Sequence, residues 1–132
     1  MLAAAAEFAP EAEVLRVVVV DDHRDVALAV AFALDALGHA TRIAHDGPSA
    51  LAAVVAHEPD LVLIDLVLPH IDGWALAHAI RALPLAHQPR LVAISGHDSP
   101  DDRARSAAAG FESHLAKPIA IEDIVRVVSP GN

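Results

Sequence analysis

Three short runs of this chain are rich in Val, Leu and Ile and free of polar residues: VVVV at 17–20, LVLI at 61–64 and LVAI at 91–94. Continuous aliphatic runs of this length, bounded by polar residues, suit strands buried on both faces of a sheet. The first strand is expected over 16–20, the third over 61–64 and the fourth over 90–94. Two weaker segments, 41–44 and 112–115, complete a set of five. Helix-like spacing fills the gaps. Residues 23–37 carry apolar side chains at Val26, Val30, Phe32, Leu34 and Leu37, with Gly38 placed to end the helix. Residues 47–57 follow, with Pro48 early, where a missing N–H is harmless. A loop at 66–72 leads into a helix at 73–83. An Ala-rich helix at 99–109 stops at Gly110, and the last helix, 121–128, ends before Pro130 and Gly131. Residues 1–13 (MLAAAAEFAPEAE) show no such pattern and read as a flexible leader to a domain at 14–132.

Strands alternating with helices imply βαβ units, right-handed crossovers and a parallel sheet covered on both faces. In such sheets ligand sites lie beyond the carboxyl ends of the strands. Asp21 and Asp22 end the first strand, Asp65 the third and Ser95 the fourth, while Lys117 follows the fifth. All five residues should meet at one end of the sheet. Three carboxylates there repel one another unless a cation offsets them, and Mg²⁺ with oxygen ligands is the natural choice. Lys117 adds a positive charge suited to a phosphoryl oxygen, and Ser95 a hydroxyl donor. The set resembles a phosphoryl-transfer site. No Walker A loop or GxGxxG is present, so a bound nucleotide is not implied.

Composition narrows the classes. At 132 residues the chain suits one domain. Lys+Arg number 9 against Asp+Glu 18, a net charge of −9, so direct nucleic-acid binding is not expected. No cysteine is present, which excludes disulfide scaffolds and cysteine-ligated zinc and is compatible with the cytoplasm. The longest apolar stretches, such as 26–34, fall far short of the roughly 20 residues of a spanning helix, and no membrane association is expected. The hydrophobic share of 55% is inflated by alanine, so Val, Leu and Ile must build the core.

On the motifs VVVVDD (17–22), LVLIDLVLPHIDGW (61–74), LVAIS (91–95) and AKP (116–118), the sequence resembles the receiver domain of bacterial two-component response regulators. The resemblance spans about residues 15–128. Its spacings also agree: 43 residues from Asp22 to Asp65, 30 on to Ser95 and 22 on to Lys117. The resemblance implies a flavodoxin-like (CheY-like) three-layer α/β fold with strand order 2-1-3-4-5. It implies that Asp65 accepts a phosphoryl group from a histidine of a kinase or histidine phosphotransfer protein. Asp22, Asp65 and the Val67 carbonyl would bind Mg²⁺, and Asp21 would reach it through water. Lys117 would contact the phosphoryl group, held also by the backbone N–H groups of Val67 and Gly96. Lys117–Pro118 would be a cis peptide, and Ser95 would report the switch. No enzymatic activity is expected beyond the domain's own phosphorylation and dephosphorylation, with output through protein contacts because 132 residues leave no room for an output domain.

The sequence departs from the family at His114, where an aromatic switch residue is usual, and at Ile119, where Phe is common. His114 coupled to Ser95 is the expected substitute for that switch. The AGFESHLAKP stretch is similar to receivers of hybrid kinases, so a module of, or partner to, such a kinase is an alternative. A pseudo-receiver scaffold is another. A phosphatase using Asp65 lacks the DxDx[TV] signature. Taken singly, Asp21 and Asp22 could cap a helix, Ser95 could do the same, and Asp72–Gly73 reads as a turn. Nine histidines form no HxH or HExxH and read as scattered over the surface; His70 and His97 are the two expected on loops near the pocket.

Overall fold

The computed structural model describes residues 14–96 and 99–129. The expected leader at 1–13 and His97 lie outside the described residues. The elements run β1 (Arg16–Val20), α1 (Arg24–Ala36), β2 (Ala40–Ala44), α2 (Gly47–His57), β3 (Leu61–Asp65), α3 (Gly73–Arg81), β4 (Arg90–Ser95), α4 (Pro100–Ala108), β5 (Ser113–Ala116) and α5 (Ile121–Val128). The strands form one parallel sheet in the order β2-β1-β3-β4-β5, as expected.

The strict alternation of a β-strand sorts the apolar runs into two cores. Val17, Val19, Leu61, Leu63, Val92 and Ile94 face Ala27, Val30 and Leu34 of α1 and Ile124 and Val127 of α5. Val18, Val20, Val62, Ile64, Leu91 and Ala93 face Ala50 and Val54 of α2, Leu76, Ala77 and Ile80 of α3, and Phe111. The three central strands are buried on both sides, which is why their runs at 17–20, 61–64 and 91–94 carry no polar residue.

Element ends differ from expectation for identifiable reasons. His23 and Leu37 cap α1 rather than belong to it. Within that helix the buried stripe is Ala27, Val30, Ala31 and Leu34, so Phe32 points outward at 78% exposure and Leu37 is also exposed. α3 ends at Arg81 rather than 83, because the residue before Pro84 disfavours helical backbone. β5 starts one residue late. Glu112 turns aside to take both carboxylate oxygens to Arg90, whose Nη2 also donates to the Val127 carbonyl at 2.9 Å. That guanidinium ties β4, β5 and the end of α5 at the amino edge of the sheet. On the opposite layer Trp74 of α3 donates its indole N–H to the buried Ser106 hydroxyl at 3.0 Å, and the Arg105 guanidinium lies 4.0 Å over the ring. This joins α3 to α4.

Buried Leu63 and exposed Phe32 predict a sharp contrast. Leu63→Ala should lower unfolding free energy by about 2–5 kcal/mol, and Phe32→Ala should change it by no more than about 0.5 kcal/mol, both measured by urea denaturation.

Candidate functional site

Parallel pairing sets β1, β3, β4 and β5 with their carboxyl ends together. The ladder runs on past the strands: Asp21 N–H donates to the Ala44 carbonyl at 3.1 Å, Leu66 N–H to Ile94 at 2.9 Å and Lys117 N–H to Ser95 at 2.9 Å. These bonds fix the backbone under Asp21, Asp65 and Lys117. The Lys117 ammonium then lies 2.8 Å from Asp65 Oδ2 and 3.3 Å from Asp21 Oδ2. Asp65 Oδ1 accepts the Val67 N–H at 2.9 Å. Asp21 and Asp65 are 1% and 2% exposed, whereas Asp22 stays open to solvent.

The helix-capping alternative for the two aspartates does not hold. The N-cap of α1 is His23, and no side chain caps that helix. Asp21 Oδ1 instead receives the His23 backbone N–H at 2.9 Å and its ring Nδ1 at 3.1 Å. His45 supports the same turn by donating Nδ1–H to the Asp21 carbonyl at 2.9 Å.

Ser95 is buried at the end of β4, and Gly96 beside it is exposed. His114 is half-buried on β5. The register pairs Ala93 with His114 and Ser95 with Ala116, so Ser95 and His114 stand on the same sheet face of neighbouring strands. The Lys117–Pro118 peptide is cis, as expected. Asp72 caps α3 by accepting the Ala75 N–H at 2.7 Å. Gly73 does more than turn the chain. A Cβ there would come within 2.7 Å of Leu66 Cα and 2.9 Å of the Asp65 carbonyl oxygen, so the start of α3 closes against the backbone that carries Asp65.

Among the described residues the histidine nearest the carboxylates is His23, with Nδ1 also 3.4 Å from Asp22 Oδ1 and 3.8 Å from Asp65 Oδ2. His70, expected on a loop near the pocket, is exposed. Its left-handed backbone, with φ of 68°, belongs to the loop before α3. The available signal for His23 was its place directly after Asp21 and Asp22, where a strand gives way to a helix.

The electrostatics follow from burial. Desolvation raises the Asp65 carboxyl above the ordinary aspartate range; hydrogen bonds from Lys117 and Val67 pull it back, and the charge of Asp21 pushes it up again. Burial alone would lower Lys117, but the hydrogen bond and charge of Asp65, with Asp21, hold its ammonium above the usual lysine value. One ligand atom from each of Asp21, Asp22, His23 and Asp65 lies within 4.8 Å of the others, and the buried Asp21 Oδ2 receives no hydrogen bond. An oxygen so placed fits a dication, and these residues are suited to hold one.

A doubly wound parallel domain with buried acids and a lysine at its strand ends defines a class of signalling module. The chain belongs to the response regulator receiver domain family, which it matches over residues 17–129. It is 34% identical over 109 residues to the gliding motility regulatory protein of Myxococcus xanthus, covering 83% of this chain and 14% of that protein. It is 30% identical over 115 residues to response regulator MprA of Mycobacterium avium (strain 104), covering 84% of this chain and 48% of that protein. The chain therefore spans less than half the length of these two relatives. A CheY-like response regulator receiver domain from Methylobacillus flagellatus superposes with a TM-score of 0.80 at 31% identity, over 88% of this chain and 97% of that one. No helix among the described residues is long and apolar enough to cross a membrane.

Two outcomes are expected. Lys117→Met removes the cation that holds Asp65 down, so ¹³C carboxyl NMR should find Asp65 ionising at higher pH than in the wild type. The folded state holds that proton more tightly than the unfolded chain, so ionisation of Asp65 weakens the fold as pH climbs through its raised folded value. Gly73→Ala should lower stability by about 1–3 kcal/mol in thermal unfolding, because backbone at Asp65 and Leu66 must move.

Proposed function

We propose that this domain is the phosphoacceptor of a two-component phosphorelay, modified on Asp65. The observation that carries this reading is a nearly dry carboxylate at a strand end whose charge is already met by Lys117 at 2.8 Å. An Asp65 oxygen attacks the phosphorus of a phosphohistidine on a kinase or phosphotransfer protein. The P–N bond breaks, the imidazole nitrogen keeps the electron pair and takes a proton, and an acyl phosphate forms on Asp65.

The chain's own groups are suited to that transfer. Lys117, already hydrogen-bonded to Asp65, shifts to a phosphoryl oxygen as the new charge develops. The N–H groups of Val67 and Gly96 and the Ser95 hydroxyl receive the remaining oxygens. Asp22, Asp65 and the Val67 carbonyl are the groups to hold Mg²⁺, with Asp21 acting through water. A bound Mg²⁺ would neutralise charge on the transferring group. Catalysis in this reading is confined to the domain's own phosphorylation and dephosphorylation.

Phosphorylation adds about −1.5 to −2 charges to a pocket that is already acidic. Ser95 at the end of β4 and His114 on the same sheet face form the path by which that change reaches α4. Output then passes to a partner protein through the altered face, in the cytoplasm where the donor kinase presents its histidine.

Incubation with acetyl phosphate and Mg²⁺ should add one phosphoryl group per chain by intact mass, removable with hydroxylamine. Asp65→Asn should abolish it. Absence of the modification in the wild type, or its survival in Asp65→Asn, would overturn the assignment.

A further inference from the structure

We propose that the outer face of α1 is where two copies of this chain pair, helix against antiparallel helix about a two-fold axis. The proposal is independent of the phosphoacceptor reading. Leu28 and Phe32, one turn apart on that face, are 59% and 78% exposed. Phe32 is the most exposed large apolar side chain among the described residues. Beside the two, α1 and the edge strand β2 form an open groove lined by Leu28, Ala29, Ala31, Phe32, Thr41 and Ile43. The Thr41 hydroxyl is buried without a hydrogen-bond partner among the described residues. A contiguous apolar patch of this kind, with a polar group of its lining left unpaired, marks a contact surface.

Charge identifies the occupant. Arg24 and Asp35 stand at the two ends of the same stripe, both exposed, and neither makes a hydrogen bond or ion pair among the described residues. At 3.6 residues per turn, Arg24, Leu28, Phe32 and Asp35 fall within about 80° of one another around the helix axis. The stripe is therefore basic at its start, apolar in its middle and acidic at its end. Its complement is a helix that runs the other way with the same order of groups, and a second α1 is such a helix.

The distances along the axis agree. From the midpoint between Leu28 and Phe32, Arg24 stands about 9 Å one way and Asp35 about 8 Å the other. A two-fold axis through that midpoint sets Leu28 against Phe32 of the second copy, and Arg24 level with Asp35 of the second copy. The contact is isologous, so each pairing occurs twice. Such an axis also keeps each flank of the stripe with itself. Arg24 and Asp35 share the flank beside β2, and Asp25 falls on the other flank, away from Asp35 of the second copy.

The test uses the full chain in about 0.15 M salt, which screens the net charge of −9 on each copy. Sedimentation equilibrium should show monomer and dimer with a Kd of about 10–100 µM, weak because one helix face is smaller than the standard interface of about 800 Å² per partner. Phe32→Ala and Leu28→Ala should each raise that Kd about tenfold. Both side chains are exposed, so circular dichroism should show the fold unchanged. Arg24→Glu and Asp35→Arg should each weaken the dimer about fivefold, and the double variant R24E/D35R should return it to within about threefold of the wild type. A wild type that stays monomeric to about 1 mM overturns the proposal, including where a different protein proves to cover this face. A dimer that survives Phe32→Ala and Leu28→Ala combined is made elsewhere and also overturns it. Charge reversals without effect, or without recovery in the double variant, overturn the antiparallel pairing.

Discussion

Asp21 and Asp65 are almost entirely shielded from water, and one ammonium, that of Lys117, lies close enough to serve both. Two buried like charges at this spacing repel, and each has lost its hydration. Lys117 makes the arrangement tolerable. The rest of the domain can be understood as what is needed to bring that lysine there. It leaves a different strand from either acid, so the sheet must be ordered to place β5 within reach of β1 and β3. The ladder bond from Lys117 N–H to Ser95 sets its height above the sheet.

The burial that builds the cores also builds the site. A strand covered on both faces can end only where a helix crosses over, and its last residue is left at the rim with its backbone paired. Asp65 is in that position: included in β3, with Leu66 N–H still bonded to β4. Gly73 then brings α3 down onto the same peptide. Dehydration of the carboxylate and rigidity of its backbone therefore arise together, and a carboxylate on a freer loop would keep its water.

Much of this was legible in the residue order. Apolar runs with no interruption gave β1, β3 and β4, and the polar residue ending each run gave Asp21, Asp65 and Ser95. Lys117 was legible through its spacing. The exposed side of α1 was less so, because alanines make the apolar stripe hard to orient: Phe32 looked inward by period and lies outward, while Ala27 and Ala31 are buried. His23 was hidden for another reason. Its position depends on the backbone turn between β1 and α1 and on which group fills the N-cap, a matter of local dihedral geometry that a residue count does not contain. The close approach at Gly73 was likewise invisible, since a turn and a tight contact are written with the same residue.

The indole of Trp74 has a consequence of its own. It is the chain's single tryptophan, bonded to Ser106 and covered by Arg105, so its surroundings are made by the helix opposite. Any rearrangement that slides α4 along the sheet uncovers one face of the ring and changes its hydrogen bond. The protein thus carries an internal optical gauge, free of labels, whose emission tracks the attachment of one helix.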